Sequence, residues 1–338
     1  MIVNPDVFFL ASSPKLIAWN YVEHKQYELS ERYWHRLLSY SERTKNDKSF
    51  EQIDRDLIQS QLLVEHAPTT HWGWDALSKI FHTGTKNIPY DSNITCEKEW
   101  AEAYFSHCRE TLSKPSPQEN HCLETAQAIA LPRAPQLLET QTLQHSLTTR
   151  KTCRDFKNTA VTSEQVSEIL YFSLGYLNER KDDIEPSMPV ELYNRRSSPS
   201  GGGLNSAEGY LFVQRVEGIA PGFYYYDPNT HSLRPKKISS TIDLANLLSQ
   251  QHFASNLPFG IFLTARLDKL WWKYEHSRAY RMALVEVGHI AQSIQLLSTA
   301  LGLRTWLTGA LSESAIEALI DFRSPHEEVF FFRRRWPQ

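Results

Sequence analysis

The chain lacks the signatures that classify many sequences at once. It has four cysteines, Cys96, Cys108, Cys122 and Cys153, with no CxxC pair among them. None has a histidine at metal-ligand spacing, so neither a zinc site nor a disulfide framework is indicated. The apolar patch in the opening MIVNPDVFFLASSPKLIAWNY is too short for a membrane span and follows no basic start. Reduced thiols without a targeting segment point to a cytoplasmic protein that does not enter a membrane. There is no surplus of positive charge either: 36 Lys and Arg stand against 39 Asp and Glu, a net charge of −3. That leaves no basic field for nucleic acid, and the RRR run at 333–335 is too short to create one. No internal repeat or low-complexity run appears. What remains, 41% hydrophobic and 22% charged, is ordinary globular composition. At 338 residues, the chain suggests one large domain or two ordinary ones.

The first ninety residues have a pattern of their own. VFFL (Val7 to Leu10) and KLIAWNY (Lys15 to Tyr21) read as short strands. Ser30 is placed to cap a helix carrying Tyr33, Trp34, Leu37 and Leu38 at helical spacing. A second helix is expected in SFEQIDRDLIQSQLLVEH, with Ile53, Leu57, Ile58 and Leu62 on one face. Strands followed by short helices suggest a winged-helix-like module over residues 1–90. Without a basic recognition helix, it suits a peptide or protein partner better than DNA. WGWDALSKIFHTGTK predicts a further helix with a buried aromatic face. Residues 91–145 read as a helical and proline-rich connection, with Pro115 to Pro135 as a linker or wrapping segment.

The second domain, 146–338, reads as α+β. In VTSEQVSEILYFSLGYL, Thr162 and Gln165 are placed for a capping box, and Val166, Ile169, Leu170 and Leu174 form the buried stripe. Strands are expected at Glu208 to Val216 and Pro221 to Pro228, joined by a glycine-containing turn, at Asn256 to Leu267, and at Glu328 to Phe332. Ala279 to Leu303 predicts a long helix, apolar almost all round, that is buried or lies in a subunit interface. Gly288 and Ala291 would let another helix approach it.

Three stretches could carry chemistry. TTRKTCRDF (Thr148 to Phe156) gathers cations and hydroxyls that can hold a phosphate, or can simply form a solvated basic turn. RRSSPSGGGLNSAEGYLF (Arg195 to Phe212) has three consecutive glycines, suited to close backbone approach to a flat ligand or to a flexible loop. It is neither GxGxxG in a βαβ unit nor a loop ending in GK[ST], so dinucleotide and Walker readings fail. The third is WWKYEHSRAYRMALVEVGHIAQS, where Glu286 and His289 form one ExxH. A di-iron carboxylate site needs two copies, so His289 reads as a core histidine and no metal is expected.

Together these stretches resemble the nitroreductase-like flavoprotein superfamily, and more narrowly its SagB-type branch, the peptide azoline dehydrogenases. The resemblance rests on RKTCRDF (Arg150 to Phe156), SPSGGGL (Ser198 to Leu204), PGFYYY (Pro221 to Tyr226), Lys273-Tyr274 with Ala279 to Arg281, GHIAQS and ALGL. It covers about Ser146 to Leu311. It implies an antiparallel-rich sheet with long central helices in a homodimer, and FMN at the subunit interface. By motif, Arg150, Thr152 and Arg154 would contact the flavin. Ser198, Ser200 and Gly202 would line the isoalloxazine ring or the dimer-related site, and Gly309 would offer a backbone amide. The GGG triplet is longer than the usual pair, and the C-terminal FFFRRRWPQ departs from the Gly-Pro ending of the branch.

The resemblance also assigns Lys273 and Tyr274 as the catalytic pair. Converting an azoline to an azole removes a hydride and a proton, and the proton needs a base. A phenol at its ordinary value of about 10 is a poor base. A neighbouring ammonium favours the phenolate. Read without the resemblance, Lys273 is as readily a surface charge and Tyr274 a core aromatic. For adjacent residues to serve one site the segment must turn, at a loop or helix start, with Trp271 and Trp272 excluding water. The implied activity is FMN-dependent oxidation of thiazoline or oxazoline rings in a ribosomally made precursor peptide, beside a cyclodehydratase. Alternatives are an NAD(P)H-dependent nitroreductase or quinone reductase, and a flavin-poor scaffold of a peptide-modifying complex.

Overall fold

The computed structural model describes residues 1–41, 48–67, 72–87, 93–117, 127–154, 160–180, 192–237, 243–320 and 325–337. Cys122, Phe156 and the 118–126 part of the expected linker lie outside them. Two compact units divide the chain, Met1–Tyr90 and Asp91–Gln338.

The first unit opens with β1 (Ile2–Val3), β2 (Val7–Ser12), β3 (Lys15–Asn20) and β4 (Lys25–Leu29). β2, β3 and β4 form an antiparallel meander. Then come α1 (Glu31–Ser41), α2 (Glu51–Gln59), β5 (Leu63–Val64), which pairs with β1, and α3 (Ala76–Gly84). Leu37, Ile53, Leu57, Leu62 and Leu63 pack with Ala18 and Leu29 as its core. The buried Arg36 ties α1 to α2 through Asp54 at 2.6 Å.

Two expectations change in this unit. α2 stops at Gln59 because Gln61 adopts φ 57°, left-handed backbone that no helix interior uses. Leu62 is therefore buried beside β5 rather than on the helix, and Ile58 faces outward. α3 is capped by Asp75, which accepts from Ser78 N at 2.9 Å. Its aromatic face is not buried: Trp74, Leu77 and Phe81 are all exposed.

The second unit contains α4 (Glu97–Ser113), β6 (Ile129–Ala130), α5 (Gln136–Glu139), α6 (Leu143–Thr149) and α7 (Ser163–Leu174). β7 (Ala207–Val213), β8 (Gly222–Asp227), β9 (Ser232–Lys236), α8 (Leu244–Leu247) and β10 (Phe259–Arg266) follow. The remainder is α9 (Leu267–Lys273), α10 (Ala279–Ala300), β11 (Leu303–Thr308), α11 (Glu313–Ile320) and β12 (Glu327–Pro337). Seven strands form one sheet in the order β11-β12-β10-β7-β8-β9-β6, every pair antiparallel. The expected linker thus contributes β6 to the sheet edge.

Alternation explains why the sheet is covered twice. Leu211, Val213, Ile261 and Leu263 point to one face and pack with α7 and α10. Tyr210, Phe212, Phe223 and Phe262 point to the other and pack with α8 and α11. α7 carries the expected capping box, Thr162 with Gln165. It lies so close to β7 that a Cβ at Gly209 would collide with Leu174. α10 ends at Ala300 rather than Leu303, because Gly302 turns the chain with φ 71° into β11. β9 and β11 go beyond what the periodicity predicts, and β12 runs on through Pro337.

Glu327 begins β12, fully buried. Its Oε1 accepts from Thr264 Oγ1 at 2.6 Å and Tyr210 Oη at 3.2 Å, while Oε2 has no partner among the described residues. Burial raises its pKa from an ordinary 4.5 to about 7, with Glu208 pushing the same way. Between those values the folded chain holds more protons than the unfolded, so stability falls as pH rises through that window and levels off above it. Glu328, also raised to about 7 by burial and Glu317, acts in the same sense. Glu327→Gln is expected to make the slope shallower and to be more stable than the parent at pH 8, by roughly 3 kcal/mol at most. Urea melts at pH 5 and pH 8 test this; an unchanged slope would mean the carboxyl ionises freely.

Candidate functional site

The Lys273–Tyr274 pair lies at the end of a helix, not at a helix start. α9 continues directly from β10, and Tyr274 leaves it with extended backbone, φ −118° and ψ 112°. That change of direction lets adjacent residues face one place. Lys273 is 1% exposed. Its ammonium donates to Gly202 O at 3.1 Å and to Tyr104 Oη at 3.3 Å, and lies 5.0 Å from the Tyr104 ring and 5.8 Å from the Tyr274 ring. No described carboxylate pairs with it, so neutral oxygens and π faces hold the charge. Burial pushes the Tyr274 phenol above its ordinary value, while Lys273 pulls it back down. Trp272 packs on the core. Trp271 is exposed, with its ring edge on His326, so only one of the two tryptophans is placed to exclude water.

The Ser–Gly loop wraps this pair. Gly201–Gly203 forms a single tight turn in which Gly202 has φ 64° and Gly203 φ 72°. A Cβ on Gly202 would sit 2.9 Å from Lys273 Nζ and nearer still to Tyr274 Oη. Close approach therefore requires glycine twice over, for backbone and for space. Ser200 Oγ donates to Glu286 Oε2 at 2.7 Å and accepts from Asn205 N at 2.8 Å. Glu286 Oε1 takes Ala207 N at 2.9 Å. This buried carboxylate on α10 thus pins the loop to the start of β7. Its ExxH partner His289 is exposed, not a core residue. Among the described residues no group of three or more His, Cys, Asp or Glu is placed to hold a metal ion. Beside the loop lies a cavity of about 420 Å³, walled by Tyr104, Arg180, Arg195, Ser198, Gly202 and Asn205 among others.

The arginine turn follows the end of α6 rather than preceding a helix. Arg150 closes α6 and donates to Gln295 Oε1 at 3.5 Å. Thr152 makes a parallel bridge to Thr305 of β11, and Cys153 N donates to Thr305 O at 2.8 Å. Thr152 and Arg154 are exposed. Ser198 meets Ser293 Oγ to Oγ at 3.0 Å. Ser293 and Gln295 are two residues apart, about 200° around α10. The arginine turn and the serine–glycine loop therefore grip opposite sides of one helix. Gly309 lies in an exposed turn after β11, against Phe331. Guanidiniums and hydroxyls beside α6, with hydroxyls and a glycine turn at the cavity, form a donor set that fits the phosphate and polar edge of a flavin nucleotide.

Tyr104 and His107 also reach this candidate site, though the sequence patterns do not single them out, and Glu286 enters it through Ser200 rather than as half of an ExxH. Tyr104 and His107 project from α4, in the segment expected to be a connection. The signal was present: Trp100, Tyr104, His107 and Thr111 are spaced 4, 3 and 4 along one helical face. Trp100 stacks on Tyr104 with centroids 5.5 Å apart and planes 5° from parallel.

Comparison with known proteins accords with this architecture. The trifolitoxin operon protein TfxC of Rhizobium leguminosarum bv. trifolii is 24% identical over 257 residues, covering 74% of this chain and 68% of its own. The trifolitoxin-processing protein TfxB of the same organism is 28% identical over 162 residues, 45% of this chain and 42% of its own, so this chain spans less than half of that relative. A solved structure described as a nitroreductase, from Ralstonia eutropha JMP134, superposes with a TM-score of 0.51 at 19% identity, covering 66% of this chain and 97% of that one. That likeness is one of fold. The sequence pattern of the nitroreductase family, whose members are generally flavin oxidoreductases that typically bind FMN, matches residues 147–332. A two-faced antiparallel sheet, a long helix gripped on both sides and a match over more than half the chain lead to one conclusion: the chain belongs to the nitroreductase family.

Proposed function

We propose that this protein is a SagB-type, FMN-dependent dehydrogenase that oxidises azoline rings to azoles in a ribosomally made peptide. The observation that carries the reading is the packing of the buried Lys273 and the half-buried Tyr274 together against the Gly202 turn, at the edge of the arginine- and serine-lined cavity. A flavin that only passes hydride to a nitro group or quinone needs no such acid-base pair. Ring oxidation does, because a carbon-bound proton must leave. Relatives named for trifolitoxin processing and its operon support a peptide substrate.

FMN, when bound, supplies the two-electron acceptor. The chain's own residues do the rest. Arg150, Thr152 and Arg154 would hold the phosphate and polar edge. Ser198 and the Gly202 turn would present hydroxyl and backbone to the flat ring, and Gly309 an amide. The Tyr274 oxygen, in the anionic form that the Lys273 ammonium favours, would take up the ring proton and pass it to solvent, with Trp272 limiting water on the inner side. Lys273 favours the anionic form of its neighbour, which an isolated buried phenol would resist.

The opposite placement of Arg150 and Ser198 about α10 supports a site completed by a second copy of the chain. So do Leu143 and Leu147 on α6 and Leu284 and Val285 on α10, all exposed. The protein would act beside a cyclodehydratase that forms the rings, and the first unit would serve as the winged-helix-like module that holds the peptide or that enzyme.

Two predictions follow from this reading. Tyr274→Phe and Lys273→Met should each lower azoline oxidation by about 10²-fold or more while FMN stays bound. Stopped-flow flavin reduction with a thiazoline peptide measures it. Unchanged azoline turnover, or fast NADPH oxidation with a nitroaromatic and no azoline activity, would point to the reductase reading. Gly202→Ala should impair both ring oxidation and stability, the backbone strain alone costing about 1 kcal/mol or more. A thermal melt and the same assay check it; a variant indistinguishable from the parent would mean the turn does not pack against the pair.

A further inference from the structure

The buried lysine is held from outside the family-matched segment. That segment begins at residue 147, whereas α4 spans Glu97–Ser113. Two consecutive turns of α4 reach Lys273 at two different points. His107 Nε2 lies 2.8 Å from the Lys273 carbonyl. A carbonyl only accepts, so Nε2 is the nitrogen that carries the proton. The Lys273 carbonyl belongs to the last turn of α9, where the helix supplies no amide for it. His107 therefore caps α9 from a neighbouring helix and fixes where its last residue sits. One turn earlier, Tyr104 receives the ammonium at its hydroxyl and lies with its ring 5.0 Å from Nζ. Trp100, stacked flat on Tyr104, sets the plane of that ring.

We propose that Tyr104 and His107 are positioning residues, a clamp from α4 that holds backbone and ammonium of Lys273 where the acid-base pair works. This deepens the azoline dehydrogenase reading and rests on it for its kinetic consequence. The clamp itself is a statement about Lys273 and is testable without turnover. Within the site it explains why a lysine with no described carboxylate partner remains buried: one neutral hydroxyl, one π face and the Gly202 carbonyl replace the anion.

The test is reductive methylation of the purified full-length chain, read residue by residue by mass spectrometry, with Lys98, whose side chain is 84% exposed, as internal reference. Lys273 should react slowly in the parent and about tenfold faster in His107→Ala and Tyr104→Ala, as loss of one hydrogen bond to a buried group predicts. Lys98 should not change. His107→Gln, which keeps an N–H donor, should restore slow labelling. With a thiazoline peptide, Tyr104→Phe and His107→Ala should lower kcat about tenfold at similar KM and bound FMN. Equal Lys273 labelling in parent and variants would overturn the clamp, whatever the activity. Faster labelling with no ring oxidation in any form would leave the clamp and remove the azoline reading. If the alanine variants do not fold, the ¹⁵N spectrum of the parent decides: an Nε2–H tautomer of His107 supports the clamp, and an Nδ1–H tautomer overturns it.

Discussion

The site is organised by one physical constraint, a lysine ammonium kept 1% exposed with no described carboxylate at hand. A buried charge of this kind is tolerated only if every nearby polar atom is turned toward it. The Gly202 carbonyl does so because a left-handed glycine turn brings backbone where a side chain would collide. That turn keeps its shape because Ser200 is bonded to Glu286, and Glu286 also holds the first amide of β7. The chain of dependence therefore runs from a carboxylate inside α10, through a serine and a glycine, to the lysine.

The sheet gives this arrangement its rigidity. β10 is buried on both faces and paired on both sides, and α9 grows directly from its end, so Lys273 sits one short helix away from a fully held strand. α10 crosses the same face of the sheet and is gripped on one side by Ser198 and on the other by Arg150. One helix thereby separates the arginine turn from the serine–glycine loop. The first unit builds its own core from Ala18, Leu37, Leu57 and their neighbours, and exposes Leu77 and Phe81 on α3 with Trp74 just before it.

Much of this was legible in the sequence where local chemistry decides. EGYLFV and GIFLTAR read as strands, Thr162 and Gln165 predict a capped helix, and SPSGGG predicts a backbone that something approaches closely. What periodicity does not reveal is the partner. Trp74, Leu77 and Phe81 have helical spacing, yet the stripe they form is exposed. Ser200 is a flavin-loop serine by motif, but its hydroxyl is committed to Glu286, a residue that sequence spacing tied to His289 instead. β11 is hidden because LSTALGL continues the apolar run of α10, and only Gly302 marks the break. A helical connection is expected where α4 lies, but its contact face is hard to read because it mixes Trp, Tyr, His and Thr rather than aliphatic residues. Long-range hydrogen bonds such as His107 to Lys273, 166 positions apart, leave no local signature.

The central claim is that this family fold, with its Lys–Tyr pair, works on a bound flavin. The most direct test is the visible absorption spectrum of the purified protein, followed by denaturation and identification of the released chromophore. The account predicts an oxidised-flavin spectrum and FMN as the released species, close to one per chain. A colourless protein that takes up no FMN from excess would contradict it.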